Sequence, residues 1–325
     1  MSSADVKTFS SEVRPRPIDI ATATYILMEI ILLLIFFTGK QGWQFLLFFY
    51  LAALGVVALM VVLNLEAAGP FWRIIRIIYP VLLFTLFYEA VGPQIFMIIR
   101  HPLDSHVVGL ERMVFGADPA FAVQPYLEVW LNELMSFGYA SYYLMLPGVV
   151  VILLIKKRYR SLERMVLAGA VTFYICYLIF IFFPVVGPRF YLDDFYYLPL
   201  IGPFFTPLTQ RILAAGGLFG GAMPSSHCAV ALVVLWTLAR EVRKAAIPAV
   251  LLLVLLCAGT VYGRCHYVSD VVAGLLLGAL VFRITGFWQN NFFAGQGEAS
   301  GEVLFAAPVS GQEQPAALNT RKSSF

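Results

Sequence analysis

His266 and Asp270 stand four residues apart in the run His266-Tyr267-Val268-Ser269-Asp270, a spacing that puts both side chains on one face of a helix. A carboxylate on one ring nitrogen fixes the tautomer and raises the basicity of the other, which makes His266 a competent nucleophile. Asp270 lies just inside an apolar stretch, where a carboxylate without a partner is costly. The plainer alternative is a structural His–Asp pair closing a helix end. A second segment, Gly221-Ala222-Met223-Pro224-Ser225-Ser226-His227, sets Pro and Ser directly before an apolar run, which is a helix-start signal. Free N–H groups of Ser226 and His227 in that first turn would face an anion, with the helix dipole adding to the attraction. His227 is placed there to protonate a leaving group, although a serine cap followed by an interfacial histidine reads the same way. The third segment, Gly187-Pro188-Arg189, offers a planar guanidinium fork suited to phosphate oxygens. Arg264, two residues before His266, adds a second cation or simply an arginine reaching the membrane surface.

The elements that must position these residues are apolar helices. Hydrophobic residues make up 60% of the 325 and charged residues only 13%, against about 25% charged in soluble domains. The apolar residues come in about eight blocks near the length that crosses a bilayer. They run roughly over 20–37, 43–63, 74–99, 134–155, 165–183, 226–238, 245–262 and 268–287, with the sixth extending toward Arg240. The expected fold is therefore an all-α, polytopic transmembrane helix bundle. Pro80 and Pro147 fall within or near spans, where neighbouring helices re-satisfy the freed carbonyls.

With the N-terminus inside and each block crossing once, sixteen of the 22 Lys and Arg residues fall on the cytoplasmic side and six outside. This bias follows the positive-inside rule and places all three chemistry-bearing segments at the outer ends of helices. It also accounts for most of the net charge of +3, which is thus no sign of nucleic-acid binding. No cleavable leader is expected. Cys176, Cys228, Cys257 and Cys265 show no metal or disulfide spacing and read as packing residues. The chain divides into a cytoplasmic segment 1–19, N-terminal helices over 20–160 with an outer loop 100–130, a core 161–289, and a disordered cytoplasmic tail 290–325. Leu110, Val114 and Phe115 mark a short interfacial helix in the outer loop. Glu29 and Glu89 are expected to hydrogen-bond to tyrosines such as Tyr88 or Tyr174, and Asp193 and Asp194 to lie near Arg189.

The three segments resemble the signature motifs of the type 2 phosphatidic acid phosphatase (PAP2) superfamily. Pro-Ser-Ser-His is similar to its second motif, and His266-Tyr-Val-Ser-Asp-Val-Val-Ala-Gly274 to its third. The first motif reads Phe183-Pro-Val-Val-Gly-Pro-Arg189, without the lysine and Arg-Pro of lipid phosphatases, and Thr260 stands where an arginine usually precedes the third-motif histidine. Both departures, and the outer-loop run from Asp104 to Pro119, resemble the inositol phosphorylceramide synthase (Aur1-like) branch. The resemblance implies that His266 attacks phosphorus, Asp270 orients it and His227 protonates the leaving oxygen. Arg189 and the Ser225–Ser226 turn would stabilise the charged transition state, with no metal or other cofactor. The implied substrates are phospholipid, sphingolipid or polyprenyl phosphates, with water or an alcohol as acceptor, at an outer-facing site of a plasma or inner membrane. A transporter using the His, Asp and Arg residues as a proton or anion pathway is the rival reading. Such pathways favour repeated or broken helices and midplane sites, whereas these polar residues cluster at helix ends.

Overall fold

The computed structural model describes residues 15–63 and 70–294. Helix is the only extended regular structure among the described residues, where β pairing is limited to an isolated parallel bridge between Val185 and Gly221. Eight long helices form the bundle. They are α1 (Pro17–Leu32, continued by a π turn to Phe37), α2 (Trp43–Val62), α3 (Pro70–Val91), α6 (Val129–Ile155), α7 (Tyr159–Phe182), α10 (Ser226–Glu241), α11 (Ala246–Tyr262) and α12 (Val268–Ala294). Short helices α4 (Asp104–Phe115), α5 (Pro119–Ala122), α8 (Pro188–Tyr191) and α9 (Phe205–Gly216) occupy the loops at the end where the three motifs lie.

Seven of the long helices are long and apolar enough to cross a membrane, one fewer than the eight blocks expected. The exception is α10, whose 16 residues span roughly 24 Å at 1.5 Å per residue, short of the ~30 Å hydrocarbon core. It sits at the centre of the bundle, packed against α6, α7, α11 and α12, and buries Ala229, Val230, Ala231, Val233 and Val234. A helix surrounded by protein has no lipid thickness to match. The chain is a multi-pass membrane protein in which the most buried spanning helix, α7, and α10 form the interior.

Several boundaries move. Helix α3 stops at Val91 rather than near Ile99, because Gly92-Pro93 breaks it into a 3₁₀ turn. Helices α6 and α7 begin five and six residues earlier than their apolar cores suggest; in α7 the added turns are the polar run Tyr159-Arg-Ser-Leu-Glu-Arg164, and in α6 Asn132 and Glu133 separate an apolar first turn from the core. Helix α1 starts at Pro17, and α12 runs to Ala294, so the proposed terminal segments are helical at their inner edges. Residues 1–14 and 295–325 of these segments lie outside the described residues.

Polar contacts inside the N-terminal half differ from those expected. Tyr174 Oη lies 3.0 Å from Thr22 Oγ1, and the Tyr88 hydroxyl donates to the Gly216 carbonyl. Neither is bonded to Glu29 or Glu89; the tyrosine that faces Glu29 is Tyr25. Asp19 instead takes a buried, two-pronged bond from Arg76 and a bond from Tyr79, and Arg16 meets Glu163 at 3.0 Å.

Candidate active site

The three motifs meet because main-chain bonds stitch them together. Val185 donates to the Gly220 carbonyl and accepts from Ala222, joining the first motif to the second. Arg189 N–H donates to the Arg264 carbonyl at 2.7 Å, joining the first to the third. Ser225 N–H donates to the Asp270 carbonyl at 3.0 Å, closing the ring between the second and third. Gly187 (φ +90°) sits where a Cβ would strike the Cys265 carbonyl, so only glycine lets the first motif lie this close.

Helix packing sets the depth of the site. Gly274 and Gly278 on α12 face the carbonyls of Ser225 and Ala229 on α10, and a Cβ at either would fall inside van der Waals contact. The glycine ending the third motif thus lets α12 press against the first turn of α10, where the Asp270 carbonyl receives the Ser225 N–H. Ser225 caps α10, its side chain accepting from the Cys228 N–H. Ser226 is buried in the first turn, where N–H groups have no intrahelical acceptor.

The resulting geometry pairs two imidazoles. His266 Nε2 lies 3.4 Å from His227 Nδ1, and His227 Nε2 lies 3.3 Å from the Tyr139 hydroxyl. His266 Nδ1 is 3.0 Å from the Ala222 carbonyl and 3.5 Å from Asp270 Oδ2. A carbonyl only accepts, so Nδ1 carries the proton and Nε2 keeps its lone pair toward His227. The shorter contact belongs to the Ala222 carbonyl, so a backbone group shares the orienting task that sequence spacing gives to Asp270 alone. The Asp270 carboxylate is itself fixed by the Tyr267 N–H at 2.9 Å. Burial lowers the His266 pKa to about 4, opposed by the bond to Ala222, which favours the protonated ring. His266 is therefore a neutral base at neutral pH.

Arg189, His227 and His266 line one cavity of about 60 Å³, together with Tyr88, Tyr139 and Cys265. Arg189 also borders a larger cavity of about 370 Å³ under the outer loops, with Ser136, Thr209, Gln210 and Arg264 on its walls. Neither Asp193 nor Asp194 forms an ion pair with Arg189, although Asp193 borders the larger cavity. Arg264 is placed elsewhere than beside the histidines. Its Nη2 donates to the Leu198 carbonyl at 2.6 Å and its guanidinium lies 4.0 Å from the centre of the Tyr196 ring. Burial raises the Cys265 thiol to about 12, with Arg189 opposing, and Cys228 packs near Thr260.

Two carboxylates that the spacing argument does not single out hold the motifs from outside. Asp104 accepts the N–H groups of Val186 and Gly187, each at 2.9 Å, and the Tyr267 hydroxyl at 3.0 Å. Glu111 accepts from both the N–H and the hydroxyl of Ser269, at 2.8 and 3.0 Å, capping the start of α12. Burial pushes both carboxyls upward in pKa, and these same bonds pull them back. Asp104, Val107, Val108 and Glu111 follow the i, i+3, i+4, i+7 pattern that defines one buried face of α4. The opposite face leaves Leu110, Met113 and Val114 exposed, consistent with the interfacial helix expected there.

A family model described as the PAP2 superfamily matches residues 106–284. The match covers more than half of the chain, and the chain belongs to this superfamily. No curated protein and no solved structure matches it. Fold and family together define a multi-pass membrane protein of the phosphatase or phosphotransferase type.

Proposed function

We propose that the protein is a membrane phosphotransferase or phosphatase that moves a phosphate-bearing group from a lipid through a covalent intermediate on His266. The observation that carries this reading is the His266 ring. Its Nδ1–H is committed to the Ala222 carbonyl and its Nε2 lone pair faces His227, in a cavity that Arg189 also lines. In the first step Nε2 bonds to phosphorus as the phosphorus–oxygen bond to the leaving group breaks. His227, neutral before the lipid binds because burial and His266 lower its pKa to about 3, takes up a proton beside the anionic phosphate and gives it to that oxygen. In the second step a hydroxyl, from water or from an alcohol acceptor, attacks phosphorus and passes its proton to His227 as the nitrogen–phosphorus bond breaks. Arg189 and the first-turn N–H groups of Ser226 and His227 stabilise the charge spread over the phosphoryl oxygens. Ser225 holds that turn in place, and Asp270 stabilises the positive ring. Arg264 acts through the loop it pins rather than on phosphate.

The catalytic core in this reading is 161–289, completed by the outer loop 100–130. Thr260 supports the inositol phosphorylceramide synthase-like assignment over plain lipid phosphatase. Its hydroxyl bonds back to the Cys257 carbonyl and its own carbonyl receives the His266 N–H, so no second arginine enters from that position. A transferase of this branch would hand the group to a lipid or polyol hydroxyl. The site faces outside or the lumen, with both termini cytoplasmic, as the charge bias requires. Purified protein given phospholipid, sphingolipid and polyprenyl phosphate donors in EDTA is expected to turn over, and His266→Ala is expected to be inactive. Full activity in that variant overturns the reading. Adding inositol or diacylglycerol as acceptor separates transfer from hydrolysis.

A further inference from the structure

We propose that the end of the bundle opposite the histidine pair is a binding site for an anionic phospholipid, whose phosphate is held by Arg164, Arg240 and Arg283. A cavity of about 420 Å³ opens there between α7, α10 and α12, and these three arginines line it with Trp236, Phe282 and Asn290. It is a separate place from the phosphoryl-transfer site. Arg240 stands thirteen positions beyond His227 on α10, a rise of roughly 20 Å.

Several arginines at this end are neutralised by carboxylates: Arg16 by Glu163, Arg76 by Asp19 and Arg158 by Glu241. Arg164, Arg240 and Arg283 have no carboxylate within ion-pair distance among the described residues, and all three converge on one cavity. Their positions are built. Trp236 and Phe282 stack at 5.1 Å, and the Arg240 guanidinium lies over both rings, 5.8 and 5.6 Å from their centres. Arg164 is tied to the Asn290 side chain. Aromatic faces hold a guanidinium in place while leaving its N–H fork free for phosphate oxygens.

The surroundings favour a lipid over a soluble anion. Leu280, Ile284 and Phe287 form one exposed stripe on α12, at 56%, 56% and 70% exposure, and Phe287 borders the cavity itself. Acyl chains lying along that stripe would leave a headgroup phosphate at the level of the arginines. Basic pockets between spanning helices on the arginine-rich side of a membrane suit anionic headgroups in this way.

The test uses the full chain carrying His266→Ala, so that no lipid is consumed, in neutral detergent, with retained phosphatidylglycerol read by native mass spectrometry. R240Q/R283Q is expected to weaken phosphatidylglycerol binding at least tenfold, whereas R240K/R283K, which keeps the charge, holds it within about threefold. K40Q, which lies outside both sites, is expected to leave this binding unchanged, and inorganic phosphate in hundredfold excess fails to displace the lipid. Unchanged binding in R240Q/R283Q overturns the proposal, as does a tenfold loss in R240K/R283K with an unaltered gel-filtration profile. Ready displacement by inorganic phosphate makes the site one for a soluble anion and rejects the lipid. Binding that emerges only after E298Q/E302Q shows that the chain's own acidic residues fill the cavity, and also rejects it.

Discussion

Replacing Asp270 with Asn separates two tasks that a carboxylate beside a histidine performs: choosing the tautomer and balancing the charge of the reacting ring. In this site the Ala222 carbonyl, 3.0 Å from His266 Nδ1, is sufficient to choose the tautomer. What Asp270 adds is charge. Once Nε2 bonds to phosphorus the ring is positive, and Asp270 Oδ2 stands 3.5 Å from Nδ1. At that distance and an effective dielectric of about 20, the attraction is about 4.7 kcal/mol. The dipole of an asparagine recovers part of this, leaving a deficit of about 3–4 kcal/mol, or roughly 10²–10³-fold in rate. The assay is rapid-quench measurement of a single turnover with a short-chain lipid phosphate, comparing wild type with Asp270→Asn. A loss below tenfold would mean that the carboxylate does not act on the charged ring. A loss of about 10⁴-fold or more, the scale seen when an amide imposes the wrong tautomer, would mean that the Ala222 carbonyl does not hold the proton on Nδ1.

Other perturbations test the scaffold. Gly274→Leu is expected to force α12 off the first turn of α10, with a cost on the order of 1–3 kcal/mol and loss of activity. Gly148→Ala, where a Cβ meets nothing within 4 Å, should leave the melting temperature and turnover intact. Asp104→Ala strips the acceptor from two backbone N–H groups and a tyrosine hydroxyl. A cost on the order of 3 kcal/mol, a lower melting temperature and a fall in kcat are expected, with partial recovery in Asp104→Asn. The pH profile follows from His266, which must be neutral to attack. With its pKa lowered to about 4, the nucleophile is complete above that value and lost as pH falls through it. With a phosphodiester lipid, whose own charge is constant in this range, the rising limb of kcat/KM assigned to His266 should lie near pH 4. A limb at the ordinary histidine value of about 6.5 would show that the ring is not buried as described.

The members of the candidate site were legible because each is marked by local chemistry. A histidine and an aspartate four apart do come into contact, although His266 sits two residues before α12 begins at Val268 rather than on its face, and a serine before an apolar run caps α10. Arg264 was not legible in the same way. Its charge and closeness to His266 suggest phosphate, but it adopts φ +62° and turns toward Tyr196 and Leu198, contacts made by a loop some seventy residues earlier. The Ala222 carbonyl was invisible because every residue has one, and only the fold says which carbonyl meets a ring. Asp104 and Glu111 lay within a run whose family resemblance was visible. Their roles required knowing that the buried face of α4 packs on Val185 and Tyr267. The short span of α10 shows the limit of counting apolar residues, since a helix sheathed in protein escapes the length rule that governs its neighbours.

The most direct test of the central claim is to catch the covalent intermediate. Protein mixed with a short-chain lipid phosphate, quenched in alkali within milliseconds and digested, would be read by mass spectrometry for phosphate on histidine. The expected result is a base-stable, acid-labile adduct on His266 alone, absent in His266→Ala. In His227→Ala it is expected to form slowly and persist, because the group that protonates the leaving oxygen and later accepts the acceptor's proton is gone. Turnover with no adduct on His266, or an adduct on His227 instead, would contradict the mechanism.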